Sequence, residues 1–204
     1  MAVAALAAVG LHQLMPSDFR VPPHWMYPAF LVAFLAVLVV GDPGRIDRQR
    51  RWLHVTTGLM IGLITLVNAF SAGRLVVGIL TKGNSFDTAG QLLLIGAVVF
   101  LTNVIAFALW YWDLDRGGAA ARAHHPQANP AFIFPEMLHT QYVPAAWVPK
   151  FVDYLSLGFW TATAFSPADV SAIRPWAKLL MITEAAVSLG IVGLVIARAI
   201  NILA

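Results

Sequence analysis

This chain of 204 residues is poor in cysteine and in charged residues. It contains no cysteine, which excludes disulfides and thiolate metal sites. Only 11% of its residues are charged, against about one quarter in a soluble globular domain, whereas 59% are hydrophobic. The composition therefore predicts an integral membrane protein surrounded by a lipid bilayer. The net charge of +3 is then attributed to basic loops beside anionic lipid, and no binding of nucleic acid is expected.

The usual sequence features of an enzyme are also missing. The six histidines are scattered, with no pair at i, i+4 spacing inside an apolar run, and the adjacent pair His124-His125 falls in a polar stretch. No Ser-His-Asp order, paired carboxylates or phosphate-binding glycine loop is present. We therefore expect neither enzymatic activity nor a metal ion or other cofactor.

Long apolar runs predict an all-α membrane fold with about five transmembrane helices, because a helix needs roughly 20 apolar residues to cross the hydrocarbon core. The first run is short, and it lacks the basic region of a signal peptide. The predicted spans are 1–15, 27–41, 53–80, 90–112 and 173–203. We expect one membrane domain, 1–204, made of four N-terminal spans in 1–112, a polar connection in 113–150 and a C-terminal module in 151–204.

The C-terminal module begins with residues 151–160, an amphipathic aromatic stretch that is too short to cross a bilayer. The segment 161–169 follows, and then the last long apolar run. A short helix, an extended turn and a long helix in this order are typical of a re-entrant pore loop. The sequence therefore predicts one re-entrant half-helix in addition to the five spans.

This module, about a quarter of the chain, resembles the pore helix, filter and inner helix of two-helix potassium channels. Those proteins read Thr-x-Thr-Thr-Val-Gly-Tyr-Gly-Asp, followed by an inner helix with a glutamate, a mid-helix glycine and an Ile-Ala-Arg ending. The matching residues here are Thr161, Thr163, Asp169, Glu184, Gly190 and Ile196-Ala197-Arg198. The whole chain is similar to a group of uncharacterised bacterial membrane proteins with a Phe-Pro loop, here Phe134-Pro135. That similarity implies the inner membrane of a bacterium.

The resemblance fails at the filter glycines. A potassium filter aligns backbone carbonyls around the ion, and glycine supplies the positive φ angles that this needs. Here Gly-Tyr-Gly is replaced by Ser166-Pro167-Ala168. Proline fixes its own φ near −65° and favours an extended residue before it, and a left-handed Ala168 would cost about 1–2 kcal/mol. Selectivity for potassium is therefore not expected.

Two hypotheses follow for this module. In the first, a homo-oligomer, favoured as a tetramer, passes monovalent cations with little selectivity. Its filter-like pathway is Thr161, Thr163, Ala164, Phe165, Ser166, Pro167, Ala168 and Asp169, with hydroxyls and a ring of carboxylates facing the ion. In the second, the pore-loop-like fold serves packing or partner binding and does not conduct, and the hydroxyls only cap the half-helix or bond to neighbouring helices.

The last predicted helix carries four further candidate residues. An ionisable residue at membrane depth is costly and by default suggests a pathway or a relay, which makes Glu184 a candidate. The resemblance implies that this glutamate packs behind the filter, and the structural alternative is a protonated or arginine-paired carboxyl. Ser188 can bond between helices. Gly190 and Gly193 are candidate hinge positions.

The orientation follows from one basic loop. Residues 42–53 carry Arg45, Arg48, Arg50 and Arg51, so the positive-inside rule places this loop in the cytoplasm. Alternation of the spans then puts the connection 113–150 on the same side. The half-helix is therefore expected to enter the membrane from the cytoplasm.

Overall fold

The computed structural model describes residues 1–41, 51–81, 86, 88–118, 121–122, 128–139, 141, 147–163 and 170–203. Within these ranges the protein is largely helical, which confirms the predicted all-α class. The helices are α1 Ala2–Gln13, α2 Met26–Gly41, α3 Arg51–Thr81, α4 Ala89–Leu114, α5 Pro135–Leu138, α6 Phe151–Ala162 and α7 Pro175–Leu203. Single 3₁₀ turns cover Ser17–Phe19 and Asp115–Gly117, and two short strands are β1 Phe132–Ile133 and β2 Ser171–Ala172.

Among the described residues, three helices are long and apolar enough to cross a membrane, and the predicted number of five spans is not confirmed. The three segments are Trp52–Thr81, Ala89–Gly117 and Pro175–Leu203. Each has about 30 residues and is therefore about 45 Å long, more than the hydrocarbon core needs. α1 and α2 are apolar but have only 12 and 16 residues, or about 18 and 24 Å.

α1 ends shortly before Pro16, and the side chain of Arg20 binds carbonyl groups at this end. The guanidinium of Arg20 donates to the backbone oxygens of Gln13 and Met15, at 2.6 Å each. The Ser71 hydroxyl then donates to the backbone oxygen of Phe19 at 3.1 Å and ties this turn to α3. The apolar run 1–15 therefore does form a helix, which extends from Ala2 to Gln13.

α4 is the central helix of the bundle. In its most apolar segment of 18 residues, two thirds of the residues are buried inside the protein. The corresponding share is one third for α3 and less than one quarter for α7. It packs against α1, α3, α6 and α7. A helix that is covered on most sides is expected to be apolar all round, and α4 has this pattern.

α7 packs antiparallel to α4. Near the start of α4, a Cβ atom on Gly96 would lie 2.9 Å from two side-chain atoms of Val195, so glycine permits this close approach. Near the end of α4, Tyr111 contacts Glu184 instead. We call the end of the bundle where α4 finishes and α7 begins the proximal end, and the end where α4 begins the distal end.

Two further contacts fix the proximal end. His54, at the start of α3, lies with its Nδ1 atom 3.7 Å from Oδ1 of Asp113, near the end of α4. β1 pairs antiparallel with β2 in the register Phe132↔Ala172 and Ile133↔Ser171. The start of α3 and the chain that leads into α7 therefore lie at the same end, as the alternation of spans predicted for loops 42–53 and 113–150.

Candidate functional site

α6 begins at the proximal end of the bundle. The rings of Phe151 and Trp112 are 6.3 Å apart, and the Tyr154 hydroxyl donates to Oδ2 of Asp115 at 2.6 Å. The carboxylate of Asp153 accepts a hydrogen bond from the backbone N–H of Lys150 at 2.6 Å, which caps the first turn. The first turn of α6 is therefore anchored beside the last turn of α4.

α6 ends beside the middle of α4. A Cβ atom on Gly158 would lie 3.2 Å from the backbone oxygen of Val104 and 3.5 Å from Cβ of Ala108. Phe159 and Trp160 share a cavity wall with Leu101, Val104 and Ile105. The Thr163 hydroxyl donates to the backbone oxygens of Phe159 and Trp160, both at 3.0 Å, and so satisfies terminal carbonyls of the helix.

Glu184 is fully buried behind α6. Its Oε2 atom accepts a hydrogen bond from the Tyr111 hydroxyl. Its Oε1 atom lies 3.4 Å from the place where a Cβ atom on Gly158 would stand. One carboxyl group therefore meets α4 and α6 at once, at a point where glycine leaves room for it.

A second buried polar group lies farther toward the distal end. The Asn103 amide on α4 donates to the Ser188 hydroxyl on α7 at 2.9 Å. The amide of Asn68 on α3 donates to Oδ1 of Asn103 at 3.5 Å. Hydrogen bonds of this kind hold neighbouring helices together in a membrane. Asn103 thus joins α3, α4 and α7 within one protomer.

The third polar group, at the proximal end, centres on Asp115. Its carboxylate is fully buried and accepts hydrogen bonds from the backbone N–H of Ala131 at 2.7 Å and from Tyr154. Nε of Arg116 lies 3.6 Å from Oδ2 of the same carboxylate. Asp115 thereby connects the end of α4, the strand pair and the first turn of α6.

Arg122 completes this group. Its guanidinium donates to the backbone oxygens of Trp112 at 2.6 Å and Asp115 at 2.7 Å, and it lies over the rings of Trp112 and Tyr154. Burial lowers the pKa of Arg122, while Tyr154 and Asp115 oppose that shift. Gly117 and Gly118 both have positive φ angles, 77° and 93°, which lets the chain reverse after α4.

Sequence reasoning missed Tyr111, Asp115, Arg122 and Tyr154. Residues 113–150 were expected to be a polar connection, but the described part of that stretch is folded against α4 and α6. The available signal was the mixture of both charge signs immediately after the aromatic run Trp110-Tyr111-Trp112. Residues of opposite charge that lie close together can pair and be buried. A solvated loop does not need such a mixture, so the mixture indicates a folded segment.

The predicted site residues are only partly brought together. Glu184 bonds to Tyr111, whereas the Thr163 hydroxyl bonds to its own helix, and the buried Oγ1 atom of Thr161 has no hydrogen-bond partner among the described residues. Gly190 and Gly193 lie on an exposed face of α7, with no neighbouring atoms within 4 Å of an added Cβ. The residues outside the described ranges are Ala164, Phe165, Ser166, Pro167, Ala168 and Asp169, together with Arg45, Arg48 and Arg50 of the basic loop.

Within the described ranges, no group of three or more His, Asp or Glu side chains is placed to hold a metal ion. Comparison with protein-family models, with curated proteins and with solved structures finds no match to this chain. The geometry of the chain's own residues is therefore the basis for inferring its function.

The Tyr111–Glu184 contact yields a prediction that a double-mutant cycle can check. Tyr111→Phe is expected to lower the free energy of unfolding in mild detergent by about 1–2 kcal/mol, because a buried carboxyl oxygen loses its donor. Combining it with Glu184→Gln should give a clearly non-additive result. Tyr27→Phe is the matched control, because the buried Tyr27 hydroxyl has no hydrogen-bond partner in the described structure. Equal losses in the two tyrosine variants would contradict the assignment.

Proposed function

We propose that α6 is a re-entrant half-helix of the pore-loop type, and that a homo-oligomer of this chain passes monovalent cations with little selectivity. The observation that supports it is the path of the chain. α6 starts beside Asp115 at the proximal end and reaches the middle of α4 at Trp160, and at Ser171 the chain is again paired with β1 at the proximal end. Its 12 residues cover about 18 Å, roughly half of a hydrocarbon core of about 30 Å.

The position of Glu184 supports the same proposal. In the potassium channels that this module resembles, the matching glutamate packs behind the filter, and Glu184 packs behind α6 against Gly158 and Tyr111. A buried carboxyl at this depth is energetically costly, and its presence by default suggests a functional role. We assign it that of a positioning residue, which holds the half-helix against α4 and α7.

The proposed ion contacts lie after the end of α6. The C-terminal end of a half-helix carries the negative end of its dipole into the membrane, which favours a cation. Because Thr161 is buried and the Thr163 hydroxyl bonds to its own helix, the pathway is assigned to the residues that follow them. The Asp169 carboxylates of the four subunits then form the proposed ring of charge.

A second candidate function is supported by a different observation. Three polar side chains of the module that the sequence singled out make hydrogen bonds inside their own protomer. These residues are Thr163, Glu184 and Ser188. On this hypothesis the half-helix is retained for packing or for binding another membrane protein, and no ion passes.

A flux measurement separates the two candidates. Purified protein in liposomes is expected to carry potassium and sodium at similar rates, and Asp169→Asn should lower the flux several-fold because a ring of charge is lost. Asp18→Asn serves as the control, since Asp18 is exposed in the turn after α1. A folded oligomer without flux at any voltage or pH would favour the non-conducting candidate.

We further propose that α6 enters from the cytoplasmic side of a bacterial inner membrane. The basic loop 42–53 leads into α3, whose His54 lies against Asp113 near the start of α6. The chain has no cysteine, so an Arg48→Cys variant carries a single thiol. This thiol is expected to resist a membrane-impermeant maleimide applied from outside. Labelling of it in intact cells would contradict the assignment and place the loop outside.

A further inference from the structure

One buried histidine lies where α1 and α2 meet. α1, the turn 14–25 and α2 form a hairpin, and its turn lies at the distal end, because Met15 packs with Leu92 near the start of α4. The side chain of His12, in the last turn of α1, is only 3% exposed. Its ring lies edge-on to the ring of Tyr27, in the first turn of α2, with 4.7 Å between the ring centres. Tyr27 is also buried, so these two rings close the hairpin next to its turn.

His12 has no acidic partner in this position. Its Nε2 atom is buried and has no hydrogen-bond partner among the described residues, and the Tyr27 hydroxyl also lacks one. α1, α2 and α3 contain no aspartate or glutamate, and the one acid in α4 is Asp113 at the proximal end. Asp18, the only acid in residues 1–41, is exposed in the turn. A positive charge on His12 would therefore be buried without a carboxylate to pair with, which is costly.

The turn instead places two cationic side chains near His12. The guanidinium of Arg20 donates to two backbone oxygens at the end of α1, at 2.6 Å each, which fixes its charge there. His24 is exposed later in the same turn. α3 carries its basic residues at the proximal end, except Arg74, which is exposed. His12 lies outside the three spanning helices, and burial, followed by the charges of Arg20 and His24, lowers the pKa of His12 to about 4.

This environment makes the closure of the hairpin depend on pH. In the closed hairpin His12 stays neutral down to its lowered pKa, whereas in an open hairpin it takes up a proton near the ordinary pKa of about 6.5. The open form therefore binds the proton more readily than the closed form. The closed form has its full stability above about pH 6.5 and loses it progressively as the pH falls toward 4.

We propose that His12 is the trigger of an acid-sensitive switch: when it takes up a proton it leaves its place against Tyr27, and α1 and α2 separate at the distal end. The separation uncovers apolar residues such as Ala8 of α1 and Val67 of α3, which are buried under the closed hairpin. With the orientation proposed above, the distal end lies outside the cell, so the switch responds to the external pH. The switch itself requires neither that orientation nor ion conduction, because it follows from the contacts of His12 alone.

Amide hydrogen exchange of the purified protein in mild detergent, read out by mass spectrometry, measures the opening. Rates are corrected for the intrinsic pH dependence of exchange. Between pH 8 and pH 5, the protection of peptides from α1 and the start of α2 is expected to fall about ten-fold or more. The protection of the middle of α4 is expected to stay constant. Unchanged protection of α1 at pH 5, or an equal loss in α4, would overturn the proposal.

Four variants identify the group that takes up the proton. His12→Phe keeps an aromatic ring against Tyr27 but cannot be protonated, so α1 should keep its protection at pH 5. His12→Met is a second variant without a titratable group, and circular dichroism confirms that each variant is folded. Asp18→Asn and His24→Gln change the exposed titratable groups of the turn and should lose protection as the native protein does. The same loss in a folded His12 variant, or no loss in Asp18→Asn or His24→Gln, would assign the pH response to another group and overturn the proposal.

Discussion

Asp115→Ala is expected to lower the free energy of unfolding by about 3–5 kcal/mol, because it removes one partner from a buried ion pair. The carboxylate is fully buried beside Arg116, whose side chain is only 7% exposed. Its loss also leaves the Tyr154 hydroxyl and the backbone N–H of Ala131 without their acceptor. These three contacts hold α4, the strand pair and α6 together, so the effect is larger than the loss of one hydrogen bond.

Unfolding of the purified protein in mild detergent measures this effect. Asp115→Asn keeps an acceptor oxygen but loses the charge, and should fall between the native protein and the alanine variant. Asp18→Ala is the control at an exposed site, and a change within about 0.5 kcal/mol is expected there. An alanine variant at position 115 that is no less stable than this control would show that the buried cluster does not hold the proximal end together.

Gly158→Val is expected to displace α6 from α4. An added Cβ atom already stands 3.2 Å from the backbone oxygen of Val104 and 3.4 Å from Oε1 of Glu184. A helix backbone cannot move aside easily, and overpacking of this kind costs about 1–3 kcal/mol. The helix is also expected to lose its contact with the carboxyl group that positions it. Cation flux, if the protein conducts, should fall with it.

The matched controls lie on α7. Gly190→Ala and Gly193→Ala place a methyl group where no neighbouring atom lies within 4 Å, so each is expected to raise helix stability by about 0.5–1 kcal/mol. Gly158→Ala, with the same chemical change, should instead lower it. Thermal unfolding of the three variants gives the comparison, and equal gains at all three positions would show that Gly158 is not confined.

The contact between α4 and α7 shows why some site residues were predictable from the sequence and others were not. Glu184 was singled out because a carboxyl within an apolar run is visible in the sequence itself. Its partner Tyr111 belongs to the aromatic group at the end of α4, and aromatic residues at a helix end usually lie at the headgroup level. A tyrosine that leans back along its helix reaches deeper than its Cα atom, and only the packing of α4 against α7 shows this.

The sequence by itself determined that this is an all-α membrane protein, and that a short helix follows residue 150. The first depends on composition and the second on a short amphipathic aromatic stretch, and both can be recognised from the sequence alone. The tertiary structure decided the number of long spans, the burial of Asp115 and Arg122, and the depth at which α6 ends. Those features depend on contacts between residues far apart in the chain, such as Asp115 with Tyr154. Hydropathy sums along a sequence carry no information about such contacts.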